Sequence, residues 1–247
     1  MESPQLPAAY EVTKLDGKSV VLDHAVELAK QGSPEGTLVW ATAQPQGSHR
    51  LEKPWFSPDN GLYLALILEP EFEPSRYGEI GLIGLLSLGW AVSDHVAPMT
   101  DLRYRWPNDL LLSGSKVGGV TLRKASDASW LVLGVSLNVA AEPSEVIDGG
   151  CVAIEGGCAD IRPTDILESF AREFLHWINR WDQEGLESVL TALRGRWGQP
   201  GESVLVELKD GTTMAGAFKE IGEVGGLVLE TAEGEQTITL LQFFDLQ

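Results

Sequence analysis

The spacing of apolar residues along the chain predicts four helices. The first is amphipathic and stops before Gly32-Ser-Pro, a sequence that ends helices. The second is apolar on every side, as in a helix buried within a domain, and it is too short to cross a bilayer. The third begins at Thr164, the predicted N-cap, and repeats aromatic residues at helical intervals as far as Trp181. The predicted helices cover residues 22–30, 79–95, 164–181 and 186–193.

Continuous or alternating apolar runs predict the strands. Residues 37–43 and 61–68 contain unbroken apolar runs, which are typical of buried strands. The segment 103–138 predicts a set of strands, two of which are joined by a turn at Ser113-Gly-Ser. After Gly201, about five short apolar runs separated by turns predict a small barrel.

These elements together predict an α+β protein with two domains. The clearest boundary is the Gly- and Pro-rich segment from Gly195 to Gly201, which suggests a linker between separately patterned segments. We therefore predict a mixed-sheet domain at residues 1–198 and a small all-β domain at residues 199–247.

Composition and charge narrow the classes of function. A chain of 247 residues with 43% hydrophobic content can bury a full core. The formal charge of −18 argues against a protein that grips nucleic acid through its phosphates, because that requires a broad basic face. The N-terminus has no export signal, and Cys151 and Cys158 have no metal-binding neighbours. We expect free thiols, a cytoplasmic location and no membrane partner.

Five basic residues lie close together in this acidic chain. From Asp101 to Lys124 there are five bases and two acids, a local balance of +3. Such a gathering of scarce cations indicates a bound anion, although an ordinary basic strand surface would have the same composition. The five are Arg103, Arg105, Lys116, Arg123 and Lys124.

A rigid corner lies inside this basic segment. Pro107 fixes its own backbone, so Asn108 and Asp109 should be presented by a firm turn. Gly118 and Gly119 follow Lys116 and would let a ligand lie close to the backbone of the returning strand. This arrangement predicts a reactive site at the ends of two strands.

The sequence Arg105-Trp-Pro-Asn-Asp-Leu, with Lys116 seven positions after Asp109, resembles the catalytic motif of the biotin protein ligases, which are related to lipoate ligases. The resemblance continues in order over roughly residues 10–247. It includes Trp55-Phe-Ser-Pro58, the strand Gly134-Val-Ser-Leu-Asn138 and the segment from Trp181 to Trp197. The C-terminal segment resembles the SH3-like domain of these enzymes.

The resemblance implies a two-step reaction. Biotin and ATP form biotinyl-adenylate, and a lysine of a biotin carboxyl-carrier domain then takes up the biotin. Lys116 and the loop residue Arg50 would be catalytic, and Asp109 would bind Mg²⁺. The partner would be the carrier domain, and a homodimer is compatible with the resemblance. Further ligand contacts are implied for Gln44, Gly47, Trp55, Arg105, Asn108, Gly118, Gly119, Gly134 and Asn138.

Two segments depart from the family pattern. The loop at 47–53 has His49, Leu51 and Glu52 where the family has Gly or Arg. Near the N-terminus, Gly17-Lys-Ser19 replaces the family's Ser-Thr-Asn. Both segments would contact the ligand, so two alternatives stay open. One is a ligase for lipoate or octanoate, and the other is a catalytically silent binding protein with the same fold.

Overall fold

The protein contains a seven-stranded mixed sheet with helices on both faces, followed by a four-stranded antiparallel sheet. The computed structural model describes residues 4–45, 47–48, 54–55, 57–124, 128–141 and 149–246, with only the backbone described at 47–48 and 54–55. The mixed sheet confirms the predicted α+β class.

The large sheet has the strand order β1-β2-β5-β9-β8-β7-β6. Strands β1 and β2 are parallel, and every other neighbouring pair is antiparallel. Its central strands β2, β5 and β9 are buried on both faces almost throughout, which explains their unbroken apolar sequences. The strands are β1 (Glu11–Lys14), β2 (Thr37–Ala41), β5 (Leu62–Leu68), β6 (Leu102–Arg105), β7 (Asp109–Leu112), β8 (Ser115–Arg123) and β9 (Leu131–Leu137), and a separate hairpin joins β3 (Gly47–Ser48) to β4 (Pro54–Trp55).

Helices cover the two faces of the large sheet unequally. Of the described helices, α1 (Val21–Lys30) alone lies on one face, and it buries Val21, Ala25 and Ala29 against a small apolar cluster. On the other face α2 (Glu79–Ser93) is surrounded by the sheet, by α4 (Pro163–Glu184) and by α5 (Leu186–Leu193), so nearly all of its residues are buried. A short helix, α3 (Val152–Glu155), precedes α4.

The four predicted helices are all present, but α1 starts one residue earlier, α2 ends two residues earlier and α4 extends to Glu184. Helix α4 begins at Pro163 with Arg162 as its N-cap, instead of at Thr164. The reason is that the Asp165 carboxylate accepts a hydrogen bond from the Arg162 backbone N–H and pairs with its guanidinium. None of the helices in the described part of the chain has the length and apolar character that a membrane crossing requires.

The C-terminal unit has four described strands and a helix instead of five strands. Strands β10 (Ser203–Glu207), β11 (Thr213–Ile221), β12 (Leu227–Thr231) and β13 (Gly234–Ile238) form an antiparallel meander. The apolar run predicted as a last strand is broken at Thr239, whose hydroxyl accepts a hydrogen bond from the Gln242 backbone N–H. That cap starts α6 (Leu240–Phe244).

The small sheet and α6 share one continuous core with the larger unit. The Trp106 indole donates a hydrogen bond of 2.9 Å to the Gly225 carbonyl and packs edge-on against Phe243. Phe244 fills the space beside Gly81 of α2, and Leu240 packs on Gly78. The segment after residue 198 is therefore docked on the larger unit and holds the Trp106 corner.

Candidate active site

A row of directly paired residues crosses the large sheet on the face that carries α1. Residues that are directly paired in neighbouring antiparallel strands point to the same face. The neighbouring row on this face contains Thr121, Gly134 and Ala65. Leu22 of α1 lies over that row, because a Cβ on Gly134 would come within 3.1 Å of the Leu22 side chain. The row runs from β7 to β2 through Asp109, Gly119, Ser136, Tyr63 and Ala41.

A β-bulge in β8 decides where Lys116 points. Leu110 pairs with Gly118, but Leu111 pairs with Lys116, so Val117 is an extra residue in the strand. Without the bulge Lys116 would pair with Leu112 and point into the α2 side. With it, Lys116 lies on the same face as Asp109, and Val117 is fully buried in the main core.

Lys116 and Asp109 form an ion pair at the end of the row. The Lys116 Nζ lies 2.6 Å from one Asp109 oxygen, and the Arg105 guanidinium lies 3.8 Å from the other. The side chains of Lys116 and Asp109 are only 24% and 12% exposed, whereas Arg105 is 58% exposed. A partly buried ammonium is thereby fixed beside a carboxylate, and Arg105 is free to move towards an anionic ligand.

The basic segment separates into two groups. Arg103 pairs with Leu111, and Arg123 pairs with Val132 of the α1-side cluster, so both share the face of Lys116. Lys124 points the other way, and its ammonium lies 5.5 Å from the Tyr77 ring centre on the α2 side. Four of the five cations therefore share one face of the sheet, Lys124 lies towards the other face, and the anion site stays a prediction.

The corner at Asn108 is attached to β8 by its own hydrogen bonds. Its amide donates to the Val120 carbonyl at 3.1 Å, and its backbone carbonyl accepts from the Val120 N–H at 2.9 Å. The Trp106–Pro107 peptide bond is cis. These contacts confirm that the Asn108–Asp109 turn is held firmly, as Pro107 suggested.

Gly118 and Gly119 have a structural reason to be glycine. A Cβ on Gly118 would lie 2.6 Å from the Ser136 carbonyl oxygen, and one on Gly119 would lie 2.6 Å from the Asn108 carbonyl oxygen. Backbone atoms of the protein therefore occupy the space that a side chain would need. Contact of these glycines with a ligand stays a prediction.

Gln44 lies at the N-terminus of α1, at the opposite end of the row. Its Oε1 accepts a hydrogen bond of 3.0 Å from the Val21 backbone N–H, and its Nε2 donates to the Ser57 hydroxyl at 3.1 Å. The N-cap residue Val20 has no side chain that could do this. Gln44 follows β2, and Lys116 lies on β8. The two strands are three strand spacings apart, which is about 14 Å.

The predicted ligand loop is only partly described. Gly47 pairs with Trp55 in the small β3–β4 hairpin, which shows that the two ends of the loop lie side by side. Arg50 and Glu52 lie outside the described residues. Gly47, Trp55 and Arg50 therefore remain ligand contacts by prediction.

Asn138 joins β9 to the described segment that starts at residue 149. Its amide donates to the Gly150 carbonyl at 3.0 Å, and its backbone N–H donates to the Val117 carbonyl at the bulge. The side chain is buried, and its Oδ1 has no hydrogen-bond partner among the described residues. This oxygen is suited to accept a hydrogen bond from a ligand. Gly134, by contrast, lies beneath Leu22 of α1 and makes room for that helix.

Around Lys116 the described residues place one carboxylate, that of Asp109, and no preformed metal cage. No cluster of three His, Cys, Asp or Glu side chains is found in the ranges that the structure covers. A single carboxylate such as Asp109 suits Mg²⁺ that is held mainly by nucleotide phosphates. Cys151 and Cys158 are not joined in a disulfide bond, and burial raises the pKa of the Cys158 thiol.

Sequence reasoning missed Ser136 and the neighbouring Tyr63. Ser136 is the one residue of β9 that is not fully buried, and it lies in the row between Gly119 and Tyr63. The Tyr63 hydroxyl donates to the Pro58 carbonyl, and burial raises the pKa of that hydroxyl. A polar residue in the otherwise apolar strand 131–137 was the available signal.

Comparison with known proteins identifies the family. The sequence profile of the biotin/lipoate A/B protein ligase family matches residues 6–195, more than half of the chain. The chain belongs to the biotin/lipoate A/B protein ligase family. Among curated members it is 26% identical to a biotin–[acetyl-CoA-carboxylase] ligase of Paracoccus denitrificans over 216 residues, which cover 83% of this chain and 89% of that protein.

Solved structures of biotin protein ligases and a related protein share the fold. The biotin protein ligase of Aquifex aeolicus, solved with biotin and ATP, superimposes with a TM-score of 0.78 at 24% identity, covering 92% of this chain and 95% of that one. A biotin protein ligase-like protein of unknown function from Silicibacter sp. TM1040 gives 0.79 at 24% identity, covering 96% and 97%. The likeness therefore extends beyond the matched ligase segment into the C-terminal sheet.

Proposed function

We propose that this member of the ligase family forms biotinyl-adenylate from biotin and ATP and transfers the biotin to a lysine of a carboxyl-carrier protein. The observation that carries the proposal is the bulge that places the Lys116 ammonium beside Asp109 on the α1 face. A partly buried cation at that place can stabilise negative charge that develops during a phosphate reaction. The ligase names of its curated relatives support the same reaction.

In the first step a biotin carboxylate oxygen bonds to the α-phosphorus of ATP, and the bond from that phosphorus to the bridging oxygen breaks, releasing pyrophosphate. Lys116 would contact the carboxylate and the α-phosphate, and Arg105 would contact a phosphate oxygen. In the second step the acceptor amine bonds to the acyl carbon, AMP leaves, and the amine loses a proton to solvent. Gln44 would orient the polar ring of biotin at the other end of the row.

Mg²⁺ would be held by Asp109 together with the phosphates of ATP, and when bound it neutralises phosphate charge. The proposal includes an SH3-like character for the C-terminal sheet, a cytoplasmic location and a homodimer as the oligomer to test. It includes no nucleic-acid partner, since the segment 199–247 has nine acids and two bases.

Exchange of labelled pyrophosphate into ATP, measured with biotin in the assay, tests the proposal. The wild-type chain should catalyse exchange, and Lys116→Ala should lower its rate at least about a thousandfold, as expected when a charged group that acts in the transition state is lost. Lys219→Ala, which removes an exposed lysine of β11, is the matched control and should exchange normally. Normal exchange by Lys116→Ala would contradict the assigned role.

The two alternatives predict different results in the same assay. A ligase for another acid would exchange with lipoate or octanoate but not with biotin. A silent binding protein would exchange with none of them and would remain inert after Glu52→Arg, which restores a cation in the loop. These outcomes would overturn the choice of biotin and the ligase activity, respectively.

A further inference from the structure

Beside α1, the same face of the sheet has a floor of small residues that are partly exposed in the described part of the protein. Gly119 on β8 and Ser136 on β9 are both partly exposed, and Ser136 is the one residue of β9 that is not fully buried. The two residues are directly paired, so they lie side by side on this floor. Lys116 and Asp109 bound the floor on one side, and Tyr63 bounds it on the other.

Within the pair of Gly119 and Ser136, only Ser136 has a hydroxyl group. Gly119 contributes only backbone atoms. In the neighbouring row the methyl group of Thr121 points towards Gly134, because a Cβ on Gly134 would lie 3.0 Å from that methyl carbon. The Ser136 hydroxyl forms no hydrogen bond with another residue in the described part of the protein. It is therefore available to a molecule that lies on the floor.

We infer that Ser136 is a specificity-determining residue. It favours an acid that has a hydrogen-bonding atom away from its carboxylate over an acid with a saturated hydrocarbon chain. The inference rests on the proposed function, because it takes the ligand to lie between Gln44 and Lys116. A ligand in that position crosses β5 and β9, the two strands between β2 and β8. On β9 it would pass over Ser136.

The physical basis is the cost of an unpaired hydroxyl. A saturated chain over Ser136 would remove water from the hydroxyl and give it no partner, which disfavours binding. A ring with a sulfur atom or N–H groups, as in biotin, can form the missing hydrogen bond or leave room for a bridging water. The floor thus discriminates by polarity, in addition to any discrimination by the predicted loop.

Competition between biotin and octanoate in pyrophosphate exchange tests this inference on the full chain. Ser136→Ala should raise the ratio of kcat/KM for octanoate to that for biotin by about tenfold, as expected when one unpaired hydroxyl is removed. The KM for ATP should not change, because Ser136 would touch the acid and not the nucleotide. Ser203→Ala, on the exposed strand β10, is the matched control and should leave the ratio unchanged.

Ser136→Gly provides a second variant if Ser136→Ala does not fold, and the same rise in the ratio is expected from it. An unchanged ratio in a variant that still exchanges would overturn the role of Ser136 and leave the ligase function standing. A wild-type chain that exchanges with neither acid would overturn the ligase function, and the specificity role with it.

Discussion

Gln44 has a structural role, capping α1, and a proposed role in binding biotin. Its carbonyl oxygen replaces the missing cap of α1, and its amide nitrogen reaches Ser57. Because both polar atoms are already engaged, the side chain is fixed before a ligand arrives. A group fixed in this way loses little conformational entropy on binding.

Gln44→Ala should weaken both folding and biotin binding. Loss of the cap should lower the free energy of unfolding by about 1 kcal/mol, measured by urea titration, and calorimetry should show weaker biotin binding. Gln44→Glu separates the two effects, since its carboxylate still accepts from the Val21 N–H but has no amide to donate. We expect stability to return in Gln44→Glu while binding stays weak. If biotin binds Gln44→Ala as tightly as the wild type, Gln44 has only the structural task.

The site residues differed in how far the sequence could predict them. Lys116 and Asp109 follow from local charge and the motif, and the structure brings them to 2.6 Å from each other. Lys124 could not be excluded from sequence, because its direction depends on strand alternation beyond a bulge that no residue pattern announced. Ser136 is visible in the sequence as a polar residue in an apolar strand, but its exposure depends on where α1 begins, which is a tertiary property.

At the scale of elements, the spacing of apolar residues predicted whether a segment forms a helix or a strand, and capping residues decided where the element begins. The apolar repeat of α2 and the unbroken run of β5 gave the correct type and nearly correct limits. The last predicted strand, residues 236–241, is divided between β13 and α6 because the Thr239 hydroxyl caps α6. The order of the strands in the sheet could not be predicted, since it depends on contacts between distant segments.

The cap of α4 should make the stability of the protein depend on pH. The pKa of the Asp165 carboxyl is lowered by its hydrogen bond with Arg162, so the pair stabilises the folded state when Asp165 is ionised. Asp165→Ala should cost about 1 kcal/mol at pH 7. The contribution is present above the unfolded pKa of 3.8 and is lost as pH falls through the lower folded pKa.

Urea titrations at several pH values check this prediction. The difference between the wild type and Asp165→Ala should be constant from neutral pH down to about pH 5 and should shrink below the unfolded value. Asp182→Ala, an exposed position near the other end of α4, is the control and should show no cap-sized loss. A difference that grows on acidification would contradict the assignment.

At the scale of the whole molecule, the C-terminal unit supports the corner that precedes the site. Trp106 belongs to the motif that carries Asn108 and Asp109, and it is bonded to Gly225 and packed on Phe243. The linker at 195–201 suggested separable segments, but the shared core indicates a mutual dependence. We now expect a chain that ends at residue 198 to be markedly less stable than the full chain.

Two variants separate the effect of the C-terminal unit on stability from its effect on the turn at Asn108 and Asp109. Phe243→Leu and Phe218→Leu each reduce a buried phenylalanine in the C-terminal unit and should lower the free energy of unfolding by roughly 1–2 kcal/mol. Only Phe243 contacts Trp106, so only Phe243→Leu should also raise the KM for ATP. Equal KM values in both variants, or a truncated chain as stable as the full one, would show that the contact does not support the site.

The hydrogen bond between Trp106 and Gly225 also has a consequence for biosynthesis. Its partners are 119 residues apart, so at about 5–20 residues per second the ribosome needs roughly 6 to 24 s to supply the second after the first. Throughout that interval the nascent chain presents an uncovered indole and the bare side of α2 that Leu240 and Phe244 will later fill. This interval is when the growing polypeptide should be most prone to aggregate and most in need of a chaperone.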